Sequence, residues 1–207
     1  MPARAAIAAV AAAAALLAAT PARAVITTVT DTGSTYSLTL RVGSAGATVD
    51  TVAFNVTGAN AGLTPTAVTG TPTIDVWVMP VRPVASTTVA RPVTLRVDSS
   101  AALTCQSGGC GTTAIPFSKI SWVATNNSNA ASGDIQNGRF TASASQSIAS
   151  YDANASFCSG LLCPLIGTWT YQSRNLTATR LQFSYDNDVV YPGGNYKGTV
   201  RFTASME

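Results

Sequence analysis

LQFSYDNDVVYPGGNYKGTVRFTA, residues 181–204, is the stretch on which the reading of the fold turns. Leu181, Phe183 and Tyr185 alternate with Gln182 and Ser184. Tyr196, Gly198, Val200, Phe202 and Ala204 then share one face, against Lys197, Thr199, Arg201 and Thr203. Apolar residues at every second position mark a strand with one face in the core. Pro192-Gly193-Gly194-Asn195 lies between the runs, and these residue types form turns. The expectation is two strands joined as a hairpin, the second running unbroken from Tyr196 to Ala204.

The same alternation extends outward through the chain. Val25–Thr30, Thr35–Val42, Thr48–Val56, Thr73–Met79, Val93–Val97, Phe117–Ala124, Arg139–Ser143, Gln146–Tyr151, Thr168–Gln172 and Thr179–Tyr185 all read as strands. Pro80, Pro83 and Pro92 predict an edge or crossing segment, because proline cannot donate to a ladder. The stretches 58–71, 99–116, 125–138 and 152–167 read as loops. About ten strands with turn signals roughly every eight to fifteen residues predict an all-β, antiparallel β-sandwich. No repeat or linker divides it, so residues 25–207 are expected to form a single domain.

The leader sets the compartment. Arg4 precedes an apolar run, Ala5–Ala19, and Ala22-Arg23-Ala24 supplies small residues at the −3 and −1 positions of a cleavage site. Residues 1–24 are therefore expected to be a secretory signal peptide, with no transmembrane segment in the mature chain. Removing Arg4 and Arg23 takes twelve basic residues to ten, against nine acidic, a balance of +1. That balance gives no case for nucleic acid or a membrane surface as partner. The alanine-rich leader and scarce lysine fit a GC-rich bacterium, and the expected location is secreted, periplasmic or cell-surface.

Four cysteines fall as Cys105-x4-Cys110 and Cys158-x4-Cys163. Three pairings are open. Two local bridges are favoured, each fixing the shape of a short loop and adding modest stability. Export to an oxidising compartment and the x4 spacing count against a four-cysteine zinc site.

Histidine is absent from the chain, which excludes Ser-His-Asp and Cys-His nucleophile systems. The single glutamate is the terminal Glu207, leaving eight aspartates for any paired-carboxylate chemistry. Asp31-Thr32-Gly33-Ser34 resembles the active-site tetrapeptide of aspartic proteases. That likeness implies a dimer in which each copy supplies one Asp31; the competing reading is a hairpin turn. Asp186-Asn187-Asp188 offers clustered oxygen ligands for calcium, and equally reads as a solvated turn. Trp122 shares a face with Ile120 and belongs to the core. Trp77 and Trp169 are candidate ligand-contact residues for carbohydrate, with sheet packing as the blander alternative. No catalytic residue, metal or cofactor is assigned.

Gly194-Asn195-Tyr196 and the alternation after it resemble the entry to the sixth strand of immunoglobulin-like sandwiches, where a tyrosine hydroxyl caps the preceding corner. Only Ser205-Met206-Glu207 follow, so if this is the sixth strand, the seventh is absent from the chain. In this the chain resembles subunits of chaperone–usher pili, including the spore-coat-U-like group. That resemblance implies completion of each subunit by a strand from the next. Gly194, fourteen residues from the end, matches the family pattern. Met206 stands where a penultimate aromatic is usual, and the cysteine pairs differ from the family's bridge. Val25–Thr30 is short for a donor, and is expected instead to close the chain's own sheet. The function these readings favour is an exported, non-enzymatic structural or adhesive protein, with other copies of itself or surface proteins as partners. A carbohydrate-binding module is the alternative, and the protease a remote one.

Overall fold

The computed structural model describes residues 27–30, 37–44, 51–81, 92–127, 133–152, 154–159, 168–173 and 176–207. At 27–30, 37, 81, 154–159, 168–173 and 176–178 the backbone alone is described. The leader, Asp31 and Cys163 lie outside these residues. Among the described residues the chain is all-β, every ladder is antiparallel, and no helix is long and apolar enough to cross a membrane.

Fifteen strands are described. The first four are β1 (Thr27–Thr30), β2 (Ser37–Gly43), β3 (Val68–Thr69) and β4 (Ile74–Val81). Then come β5 (Pro92–Asp98), β6 (Leu103–Gly108), β7 (Ala114–Ile115), β8 (Ile120–Thr125) and β9 (Gly138–Arg139). The rest are β10 (Gln146–Asp152), β11 (Asn154–Ser159), β12 (Thr168–Ser173), β13 (Leu176–Tyr185), β14 (Gly194–Lys197) and β15 (Arg201–Met206). The largest sheet runs β1-β2-β4-β13-β8-β9, with β3 also on β13. A second runs β10-β5-β15, a third β14-β6-β7, and β11 pairs with β12.

The alternation predicts the faces well. Val76 and Val78 of β4, Leu181 of β13, and Val93, Leu95 and Val97 of β5 are at most 1 % exposed. The large sheet and the β10-β5-β15 sheet thus feed one apolar cluster. Burying each such side chain contributes about 1.5–3 kcal/mol. Phe140 stacks on Phe183 and touches Trp122, with centroids 5.8 and 4.9 Å apart. Trp122 is core, as its face predicts, and its indole N–H donates to the Gln136 carbonyl at 2.7 Å.

Several expectations about connectivity fail. The 181–204 stretch is not a hairpin, because β13 pairs with β3, β4 and β8, and neither β14 nor β15 pairs with it. The link between them is held elsewhere: Asn187 donates to the Asn60 and Thr66 carbonyls, and the Asp186 N–H to the Lys119 carbonyl. Tyr196–Ala204 is two strands, not one. β14 lies on β6, and the chain then crosses to β5 as β15. The crossing runs through Gly198, where an added Cβ would meet the Phe117 ring at 2.9 Å and the Leu103 Cα at 3.1 Å. Tyr196, Val200, Phe202 and Ala204 nevertheless keep one face against the core.

Thr48–Val56 is described from residue 51 and shows one bridge, Ala53 to Thr71, in place of a ladder, although Val52, Phe54 and Val56 do pack inward. The first cysteine segment, read as a loop, is the β6–β7 hairpin. The second contains β11, with Cys158 inside the strand. Proline placement follows from donor loss: Pro92 opens β5, and Pro80 sits where β4 pairs, among the described residues, only with β2.

Candidate functional site

β15 is an edge. Its ladder to β5 runs Arg201↔Asp98 through Met206↔Val93. Among the described residues it has no second ladder, although it also lies against β2. The inward residues Phe202, Ala204 and Met206 are half-buried, whereas their partners Val97, Leu95 and Val93 are fully buried. The expected closing strand is not beside it: β1 pairs with β2, in the other sheet. A strand with one free row of N–H and C=O groups, and apolar side chains incompletely covered, is a template for another strand.

The chain reaches this edge through a fixed corner. Cys105 and Cys110 form a disulfide, their Cα atoms 5.7 Å apart, as the local pairing predicts. Gly194 packs on it: a Cβ there would lie 2.3 Å from Cys110 Sγ and 2.8 Å from the Ser107 carbonyl. The Tyr196 hydroxyl donates to the Pro192 carbonyl at 2.8 Å. The corner therefore sets where β14 begins.

A second surface lies on the outward face of the large sheet. Trp77 is half-buried there, and Arg41, its register partner on β2, places Cζ 4.0 Å from the indole centroid. Two residues along β4, Asp75 accepts from Arg180 at 2.8 and 3.2 Å. Asp75 is buried, and its charge is matched by that partner. Trp169 stands opposite Cys158 in the β11–β12 ladder, apart from Trp77's sheet, and its side chain is not described. Arg41 and Arg180 escaped the sequence reading, because cross-strand neighbours depend on register. The one available signal was that Arg41 and Trp77 each point outward in their own alternation.

The acidic turn does not assemble calcium ligands. Asp186 pairs with Arg139, and Asp188 accepts from Lys119 at 2.7 Å. Lys119 holds the Asp188 carboxyl below, and Asp188 holds the Lys119 ammonium above, their ordinary values. Asn187 is turned away into the 58–66 loop. No group of three metal-ligating side chains occurs among the described residues.

Beside this turn, burial pushes the Tyr185 hydroxyl up to about 12, with Tyr191 and Asp188 adding to the effect. The folded protein therefore keeps this proton after the unfolded chain has lost it. Stability attributable to Tyr185 is complete below the ordinary tyrosine value of 10.0, and falls as pH rises from there to about 12. Tyr185→Phe is expected to move the alkaline unfolding midpoint upward, as read by circular dichroism. An unchanged midpoint would contradict the assignment.

Comparison with family models, curated proteins and solved structures returns no match to this chain.

Proposed function

We propose that this chain is an exported, non-enzymatic protein of bacterial surface structure or adhesion, built as an immunoglobulin-like sandwich whose copies join by strand addition along β15. The observation that carries the reading is that, among the described residues, β15 has one ladder, with Phe202, Ala204 and Met206 only half-buried on it. The Tyr196–Pro192 bond supports the immunoglobulin-like part, since it makes the corner contact that the Gly194-Asn195-Tyr196 resemblance anticipates. The partner is a second copy of the chain, whose added strand would pair with the free row of backbone groups and cover the exposed part of the apolar face.

The test is the size of the mature chain. On a native sizing column it is expected to run as oligomers, and unheated samples in detergent are expected to show a ladder that collapses on heating. A single monomer peak at every concentration would contradict the proposal.

A further inference from the structure

The residues of β15 decide which strand can meet it. The Glu207 N–H donates to the Pro92 carbonyl, and the register runs back from there through Met206↔Val93 to Arg201↔Asp98. Backbone groups of an antiparallel strand turn alternately to each neighbour. Arg201, Thr203, Ser205 and Glu207 thus bond to β5, and the N–H and C=O groups of Phe202, Ala204 and Met206 face the open edge. The same three side chains lie against the core and are half-buried, while Arg201 and Glu207 are exposed on the outward face. Neither Arg201 nor Glu207 has an ion-pair partner among the described residues. Asp98, opposite Arg201, feels its charge but takes its hydrogen bonds from the Ser100 N–H and hydroxyl.

A second β15, turned about a two-fold axis through Ala204 and perpendicular to the sheet, complements each of these features. Ala204 of one copy meets Ala204 of the other, and Phe202 meets Met206 on either side, so each free N–H and C=O finds its counterpart. The small residue lies on the axis, and each Phe202 ring lies against a flexible thioether on the core side of the sheet. On the outward face Thr203 meets Ser205, and Arg201 meets Glu207. These are the pairs not joined by hydrogen bonds, where opposed side chains come closest, and opposite charges there attract. Sliding the partner by two residues in either direction breaks a hydrogen-bonded pair and parts the charges. A parallel, in-register pairing would set Arg201 beside Arg201 and Glu207 beside Glu207. Given β15 as the assembly edge proposed above, we infer that its occupant is the β15 of a second copy, antiparallel, with Ala204 on the two-fold axis. Each β15 is then used up, so the closed unit is a dimer, and any larger oligomer holds an even number of copies.

Disulfide cross-linking between exposed positions of β15 tests the pairing. Thr203 of one copy lies opposite Ser205 of the other, with Cα atoms about 4.5 Å apart, within the span of a disulfide. Thr203→Cys and Ser205→Cys are made as separate mature chains and treated with oxidised glutathione, alone and mixed, beside the wild type. Both positions are exposed, so the fold is kept. A covalent dimer on non-reducing gels is expected from the mixture, and none from either variant or the wild type alone. Glu207→Arg sets like charges together at both ends of the pairing, and is expected to weaken dimerisation on the order of tenfold in sedimentation velocity. Oligomers without the mixed cross-link, cross-links formed as readily by one variant alone, or dimerisation unchanged in Glu207→Arg would overturn this pairing and leave assembly along β15 standing. Chains that stay monomeric would overturn both.

Discussion

Ala204→Lys is expected to abolish assembly while leaving the monomer folded. Ala204 points inward from β15 and is half-buried, opposite fully buried Leu95. In a free monomer a lysine there can run its methylene stem along the apolar face and bring its ammonium out past the open edge. Once another strand occupies that edge, the exit closes and the charge must be desolvated without a partner. An inward-pointing charge is also how natural edge strands resist pairing. Association is expected to weaken by at least about a hundredfold, since burying an unpaired charge costs several kcal/mol. Sedimentation velocity reads the loss, and circular dichroism verifies the fold. Oligomers persisting unchanged in the folded variant would mean that assembly uses another surface.

Gly133→Ala is expected to be the most damaging small substitution in the described residues. Gly133 has φ +77°, a conformation that favours glycine. A Cβ there would lie 1.8 Å from the Ser150 carbonyl oxygen and 2.8 Å from its carbon. The opposing atoms are backbone of β10, fixed by its ladder to β5 and by the Ser150 N–H donating to the Gly133 carbonyl at 2.9 Å. Neither side can yield without breaking that contact and shifting the fully buried Ile135 just beyond. The expected loss is on the order of 3 kcal/mol or more in urea unfolding, from backbone strain and overpacking together. Gly193→Ala is the control. A Cβ there meets nothing within 4 Å, so a change within about 0.5 kcal/mol is expected. Equal stabilities for the two variants would contradict the packing described at Gly133.

What the sequence shows and what it hides divide along a physical line. Face assignment is local: a period of two marks Val76, Val78, Leu181 and Phe183 as inward before any partner is known, and all four are buried. Partner choice is not local. Tyr196–Ala204 keeps a uniform alternation while its first residues pair with β6 and its last with β5. The only trace of that switch is Gly198, whose meaning depends on Phe117 and Leu103 arriving beside it. The cysteine segments mislead for a related reason. Their serines, glycines and polar residues suit loops, yet Cys105 and Cys158 both lie in strands that find partners elsewhere in the chain.

The candidate residues follow the same division. Trp77 is singled out by type and by its outward position. Arg41 meets Trp77 only because β2 pairs with β4 in the register that sets it over the indole. Asp186 and Asp188 read as a shared oxygen cluster, but cations from two other segments, Arg139 and Lys119, draw them into separate pairs. The open edge depends on topology still more. Val25–Thr30 is a sound strand in the sequence, and β1 is one; nothing in its residues says that it sits on β2 and not beside β15.

Hydrogen exchange at the amides of residues 201–206, measured at low and high protein concentration, tests strand addition most directly. Antiparallel pairing turns alternate residues toward each neighbour. In dilute solution, amides of β15 bonded to β5 should be protected and the intervening ones should exchange freely. At high concentration the intervening amides should become protected too. Exchange that keeps the alternating pattern at every concentration would contradict assembly through this edge.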